Sequence, residues 1–127
     1  MLIRYAMELK EGPSHDGEQF LWIYQKQICF GYLKIILKTE KKLEMEQIYV
    51  YPKFRGNNYG KEAIKLLTEN KRGKGLNKIV LWAFGEPGNE NKLFKYYEEL
   101  GFKKIGRIST VTVDGLEYTK QSMEYEY

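Results

Sequence analysis

The residues best suited to chemistry lie at 55–60, where the sequence reads R-G-N-N-Y-G. Glycine lets the backbone approach a ligand closely, and the unpaired N–H groups of a helix's first turn attract anions. Arg55 adds a permanent charge whose planar fork fits phosphate oxygens. Turns between a strand and a helix are also rich in glycine and asparagine for conformational reasons alone. The segment therefore predicts a phosphate-binding turn, and an ordinary turn is the alternative.

Two elements must position this turn, a strand before it and a helix after it. Residues 43–51 predict a strand, and Pro52 follows it directly. The helix is expected to begin near Tyr59, because the apolar residues beyond it recur at helical spacing. These residues are Ala63, Ile64 and Leu67. The turn thus joins the carboxyl end of a strand to the start of a helix.

The rest of the chain predicts further strands and a second helix. Residues 10–18 hold Gly12, Pro13 and Gly17 and predict a loop. Residues 78–84 (K-I-V-L-W-A-F) are nearly all apolar, which is typical of a strand covered on both faces. The expected strands are 2–9, 20–24, 28–37, 43–51, 78–84, 102–109 and 116–125, and the expected helices are 59–72 and 90–100. This order predicts an α/β (α+β) fold with a mixed sheet of about seven strands and at least two helices.

Composition narrows the class of protein. The chain has 127 residues and a net charge of +4, which suits one domain spanning 1–127. Cys29 and His15 are each the only residue of their type, so no metal site is expected. No apolar run is long enough to span a membrane and no signal-peptide pattern precedes the fold, so we expect a cytoplasmic protein without a membrane partner. The basic residues at the predicted helix end lack interleaved aromatics, which makes nucleic acid an unfavoured partner. They are Lys71, Arg72, Lys74 and Lys78.

Two motifs in order resemble those of the GNAT superfamily of acyl-CoA-dependent N-acyltransferases. The first is the turn at 55–60, preceded by Val50 and Pro52, and the second is residues 97–102 (Y-E-E-L-G-F). Asn58 stands where that family has a glycine in the middle of the turn, and asparagine tolerates a left-handed backbone better than most residues. Family members commonly carry helices between the first two strands, where this chain has only the short segment 10–18. The resemblance therefore implies a shortened N-terminal helical region and an open acceptor side.

The resemblance implies acetyl-CoA as the acyl donor. Its diphosphate is expected on the N–H groups of the turn, and its pantetheine arm along the edge of strand 43–51. The family often places an asparagine near the start of the second helix, and counting back from Gly101 puts Glu90 there, between two asparagines. The implied cofactor-binding residues are Ile48, Tyr49, Val50, Arg55, Gly56, Asn57, Asn58, Tyr59, Gly60, Lys61, Asn89 and Asn91.

Direct attack by an amine needs an acid for the departing thiolate and a base for the amine. The resemblance implies Tyr97 as the acid, and the alternative is that Tyr97 is a core residue of its helix. For the base, Glu44 and Glu46 lie on the strand before the turn, and simple alternation puts them on one face with Ile48 and Val50. Their alternative role is a solvated sheet rim.

Three functions stay open at this point. The first is an N-acetyltransferase acting on a small-molecule, peptide or protein amine. The second is a catalytically degenerate acyl-CoA-binding or interaction module of the same fold, which Asn58 and the short N-terminal region favour. The third is a small basic nucleic-acid-binding domain, for which no recognised motif is present.

Overall fold

The computed structural model describes residues 6–71, 74–85 and 87–127, apart from the side chain of residue 90. It contains one seven-stranded sheet in the order β1-β2-β3-β4-β5-β7-β6, and the predicted order of strands and helices is confirmed. All neighbouring strands are antiparallel except β4 and β5, which are parallel. The elements are β1 (Met7–His15), β2 (Glu18–Gln25), β3 (Ile28–Thr39), β4 (Lys42–Val50), a short 3-10 helix (Pro52–Phe54), α1 (Tyr59–Lys71), β5 (Lys78–Gly85), α2 (Glu90–Glu99), β6 (Lys103–Val113) and β7 (Leu116–Glu126).

The N-terminal strands form a hairpin, and the predicted loop at 10–18 is wrong. β1 continues to His15, and the turn is Asp16-Gly17, both with positive φ. β1 is an edge strand, where proline is tolerated, and an irregularity in its pairing between Glu11 and Ser14 accommodates Pro13. No helix lies between β1 and β2 within the described residues. Residues 2–5 of the expected first strand and the expected end of the first helix at residue 72 lie outside the described residues.

Both helices pack on one face of the sheet and enclose the hydrophobic core. Alternate strand residues, such as Ile79, Leu81 and Ala83 of β5, point into this core. The helices contribute Ala63, Ile64, Leu67, Phe94 and Tyr97.

The other face of the sheet is open, so the expectation that β5 is covered on both faces is wrong. Trp82 and Phe84 are 47% and 45% exposed, because no helix of the described chain covers them. A row of half-buried aromatic rings in mutual contact lies on this face, on β2, β3 and β4 and just beyond β4. These rings belong to Phe20, Trp22, Tyr32, Tyr49 and Tyr51. The face of the sheet that lacks a helix therefore presents an aromatic surface.

β4 and β5 separate soon after they begin. They pair only where Lys42, Leu43 and Glu44 face Lys78, Ile79 and Val80. Beyond Glu44, β4 has no pairing with β5 among the described residues, and the two strands diverge towards their carboxyl ends. Ligands of open sheets that contain a parallel pair bind at such a divergence. The turn after β4 lies at this end of the gap.

Candidate functional site

The turn between β4 and α1 has the backbone conformation of a tight strand-to-helix connection. The 3-10 helix after β4 is followed by Gly56 with φ +84° and Asn58 with φ +63°. Both values fall in the left-handed region that glycine and asparagine tolerate best. Asn58 therefore supplies the left-handed conformation that its position requires without being a glycine.

The first turn of α1 presents free backbone donors. The first helical hydrogen bond runs from the Glu62 N–H to the Asn58 carbonyl, at 3.0 Å. Within the described residues, the N–H groups of Tyr59, Gly60 and Lys61 have no protein acceptor. Free N–H groups at the positive end of a helix dipole bind anions. These donors fit a diphosphate group.

Side chains of the turn hold its shape. Arg55 Nε donates to the Val50 carbonyl at 2.8 Å, and its guanidinium carbon lies 5.2 Å from the centre of the Tyr49 ring. Asn57 Nδ2 donates to the Phe54 carbonyl at 3.1 Å. These contacts fix the turn against β4 and leave the terminal nitrogens of the exposed Arg55 side chain for a phosphate.

Aromatic packing and an ion pair anchor the start of α1. The Tyr59 ring stacks on Phe30, with 4.0 Å between the ring centres, and so holds the first residue of the helix against the sheet. Lys61 Nζ lies 3.0 Å from a Glu99 carboxylate oxygen, which ties α1 to α2. The backbone N–H groups of Tyr59 and Lys61 are therefore available to a ligand, while their side chains stabilise the packing of α1.

Gly60 lies close to side chains of β4 and α2. A Cβ at this position would be 3.3 Å from the Tyr96 hydroxyl, 3.4 Å from Ile48 Cδ1 and 3.5 Å from Val50 Cγ2. A cleft of about 220 Å³ lies here, lined by residues of the turn together with Val50 and Tyr96. The structure thus brings together Ile48, Val50 and the residues of the turn.

The second helix places the two candidate asparagines differently. Asn89 occupies the N-cap position of α2, and its side chain makes no capping hydrogen bond. It lines a cleft of about 440 Å³ together with Phe84, Lys92 and Tyr96. Asn91 is exposed and lines none of the described clefts near the turn. Asn89 is therefore the better placed of the two to contact a ligand.

Tyr97 lies beneath the sheet in the core. It is 7% exposed, and its ring contacts those of Phe102 and Tyr96. Burial raises the pKa of Tyr97 to about 12. Its hydroxyl has no hydrogen-bond partner within the described chain, and it is not sealed from solvent. The structure gives Tyr97 the packing of a core residue and leaves its hydroxyl available as a donor.

Tyr96 was not among the predicted site residues. It lies between Asn89 and the turn and lines both clefts described above. A helical face that carries Lys92, Tyr96 and Glu99 at spacings of four and three is the sequence signal that points to it.

The prediction that Glu44 and Glu46 share a face with Ile48 and Val50 is wrong. A bulge interrupts β4, because Lys34 pairs with Gln47 while Ile35 pairs with Met45. The alternation of side chains between the two faces of the sheet is therefore shifted by one residue after Glu46. Ile48 packs against the core on the helix side.

Both glutamates lie on the open face and form ion pairs. Glu44 is half-buried and 3.0 Å from Lys38 Nζ, whereas the more exposed Glu46 is 3.5 Å from Lys34 Nζ. Lys34 also pairs with Glu18, and this hydrogen bond is the largest of the causes that raise the pKa of Lys34. Of the two glutamates, Glu46 has the longer ion pair and the greater access to solvent.

The turn, α1 and the motif at 97–102 fall within the part of the chain that matches a known family. A family model described as Acetyltransferase (GNAT) family matches residues 3–102, which include the turn, α1 and the motif at 97–102. The chain belongs to the GNAT acetyltransferase family. A comparison with curated proteins finds no match.

Solved structures of acetyltransferases share this fold. A GNAT family acetyltransferase from Elizabethkingia anophelis with acetyl-CoA bound is 16% identical, with a TM-score of 0.71 over 87% of this chain and 77% of the other. A Bacillus subtilis acetyltransferase in complex with CoA is 9% identical, with a TM-score of 0.75 over 96% and 99% of the two chains. A spermidine N-acetyltransferase chimera from Vibrio cholerae and hSSAT is 22% identical, with a TM-score of 0.71 over 87% of this chain and 68% of the other.

Among the described residues, no group of three histidine, cysteine, aspartate or glutamate side chains could hold a metal ion. Neither helix of the described chain has the length and apolar character needed to cross a membrane.

Proposed function

We propose that this GNAT protein is an N-acetyltransferase that moves the acetyl group of acetyl-CoA to a primary amine by direct attack. The observation that carries the proposal is the set of unpaired N–H groups at Tyr59, Gly60 and Lys61, at the end of the gap between β4 and β5. The solved relatives with acetyl-CoA and CoA support a ligand of this class. When bound, acetyl-CoA supplies a thioester, whose carbonyl carbon accepts the amine.

The donor site extends from the turn along β4. The free N–H groups and Arg55 bind the diphosphate. The edge of β4 near Ile48, Tyr49 and Val50 has no strand beside it on the β5 side and can hydrogen-bond an extended pantetheine arm. Asn89 contacts the same arm from the start of α2. A backbone N–H of β4 near Val50 stabilises the negative charge that develops on the thioester oxygen.

Proton transfer is assigned to two groups. Tyr97 gives its hydroxyl proton to the thiolate as the C–S bond breaks. Its hydroxyl is free of protein partners within the described chain, and its pKa of about 12 keeps it protonated at neutral pH. On the open face, Glu46 takes the proton that the amine loses, directly or through water. Glu44 is less suited to this role, because Lys38 holds it at 3.0 Å in a half-buried position.

The acceptor reaches the site across the open face of the sheet. The hairpin between β1 and β2 leaves this face uncovered within the described chain, and its aromatic row leads to Tyr49 and Tyr51 at the end of β4. Such an open surface accommodates a small-molecule, peptide or protein amine. The proposal is therefore specific for the donor and broad for the acceptor.

The burial of Tyr97 favours one second candidate, an acyl-CoA-binding module without catalysis. Release of CoA thiol from acetyl-CoA, measured with and without a panel of primary amines, separates the two functions. We expect at least one amine to accelerate release, in proportion to the protein concentration. Tight acetyl-CoA binding with no acceleration by small amines, lysine peptides or protein lysines would support the binding module instead.

A further inference from the structure

The hydroxyl of Tyr96 reaches across from α2 to the first turn of α1. It is the nearest of the atoms that a Cβ on Gly60 would meet, at 3.3 Å, and Ile48 and Val50 adjoin the same point. Tyr96 thus lies against the helix end whose N–H groups are free. A side chain from another helix at this place is either packing against Gly60 or part of the binding surface.

Tyr96 lines two clefts on this side of the molecule. It lines the cleft of about 220 Å³ at the turn and the cleft of about 440 Å³ beside Asn89 and Lys92. Within the described chain, its hydroxyl has no hydrogen-bond partner, although the residue is half-buried. Polar groups inside proteins usually have a hydrogen-bond partner, and at this hydroxyl water or a bound ligand would supply one. A ligand that spans the two clefts would pass this hydroxyl.

The chemistry of the group suits an anionic ligand. A phenol donates one hydrogen bond while it is neutral, and the bond is stronger when the acceptor is charged. Burial, with a smaller contribution from Tyr97, raises the pKa of Tyr96 to about 12. The hydroxyl is therefore a donor at every pH at which the protein would work.

We propose that Tyr96 donates a hydrogen bond to a diphosphate oxygen of the acyl donor bound at the start of α1. This inference rests on the proposed function, since it adds a side-chain donor from α2 to a site otherwise built from backbone N–H groups and Arg55. Tyr96 is in this account a binding residue, and proton transfer to the thiolate stays with Tyr97.

The test is the dissociation constant of CoA, measured by titration calorimetry for the parent protein and for Tyr96→Phe. Phenylalanine keeps the ring packed against Tyr97 and removes only the hydroxyl that donates. We expect CoA to bind about tenfold more weakly, the effect of one hydrogen bond to a charged oxygen. Pantetheine, which has no phosphate, should bind both proteins equally. Tyr118→Phe, on β7, is the matched control and should bind CoA as the parent does.

The outcomes are distinct. Equal CoA affinity of the parent and Tyr96→Phe would overturn this inference and leave the proposed function intact. An equal loss of affinity for pantetheine and CoA would also overturn it, because the effect would then not concern the diphosphate. A parent protein that does not bind CoA would overturn both. If Tyr96→Phe does not fold, Tyr96→Met provides the same comparison, with thermal unfolding as the check on folding.

Discussion

At the residue scale, Gly60 matters for the side chain that it lacks. It lies inside α1 and is not among the glycines with positive φ, so its backbone does not require glycine. A Cβ would lie 3.3 Å from the Tyr96 hydroxyl, which would have to shift slightly, and at ordinary contact distances of 3.4 and 3.5 Å from Ile48 and Val50. A larger, branched side chain would in addition occupy the place of a ligand.

Gly60→Val is therefore expected to abolish most CoA binding and to spare the fold. The branched side chain would take the place of the diphosphate, and we expect CoA to bind at least about tenfold more weakly, a loss of about 1.4 kcal/mol. Titration calorimetry measures the loss, and thermal unfolding without ligand checks the fold. Normal CoA affinity in Gly60→Val would show that the diphosphate binds elsewhere.

Arg55→Ala is the comparison for this variant. Arg55 is exposed and tied to the Val50 carbonyl, so its contact with a phosphate is screened by solvent. We expect it to weaken CoA binding by only about twofold to fivefold, since exposed charge pairs contribute about 0.2–1 kcal/mol. Loss of most binding in Arg55→Ala alone would mean that the backbone N–H groups contribute less than proposed.

Tyr97→Phe tests catalysis. The ring packing against Phe102 is kept, and the removed hydroxyl has no protein partner within the described chain, so folding and CoA binding should survive. General acids typically contribute 10²–10⁴-fold, and we expect a fall in kcat of about 100-fold with little change in KM.

The pH dependence of kcat is a second test of Tyr97 as the acid. An acid is lost as the pH rises through its pKa, which is about 12 for Tyr97. In the parent protein, kcat should therefore not decline between pH 7 and 10 through this group. If Tyr97→Phe turned over at the parent rate, Tyr97 would have no role as the acid and would serve only in core packing.

At the element scale, the order of strands and helices was predictable because hydrophobic periodicity changes cleanly along the chain. Residues 59–71 follow the helical period, and residues 78–84 form an apolar run too short for a helix. The turn was predictable because glycine, asparagine and arginine cluster between the two.

The errors concern features that local sequence does not determine. Pro13 and Gly12 signal a loop, yet an edge strand with an irregular register accommodates both. The bulge at Glu46 depends on how β3 pairs with β4, so no pattern within β4 indicates it. Trp82 is exposed because no helix of the described chain covers it, and the sequence of β5 alone does not indicate this.

The bulge in β4 has a functional consequence that can be measured. It directs Glu46 to the open face, away from the core side on which Ile48 packs. Glu46→Gln removes the proposed base and should lower kcat by about 100-fold at neutral pH, within the range for general bases. Glu44→Gln is the matched control, and its effect should be much smaller because Lys38 engages that carboxylate. Equal effects of the two changes, or none from Glu46→Gln, would assign the base to another group.

At the scale of the whole molecule, the protein has helices on one face of its sheet and aromatic rings on the other. The gap between β4 and β5 connects the two sides, because the strands pair only near their amino ends. The proposed donor site lies at the helix side of this gap, and the proposed acceptor path lies at the open side. The two motifs at 55–60 and 97–102 led to the family, which the family model confirms, and to the predicted donor site, whereas no sequence signal identified the acceptor.

The claim on which the whole account depends is that the folded protein binds acetyl-CoA. A ligand bound only by the folded state stabilises it by RT ln(1 + [L]/Kd), about 2.7 kcal/mol at a hundredfold excess over Kd. For a domain of this size, that raises the melting temperature by roughly 5–15 °C. The measurement is thermal unfolding with and without acetyl-CoA, with acetate and free adenine as controls that should cause no shift. A rise of this size is the predicted result, and an unchanged melting temperature at millimolar acetyl-CoA would contradict the account.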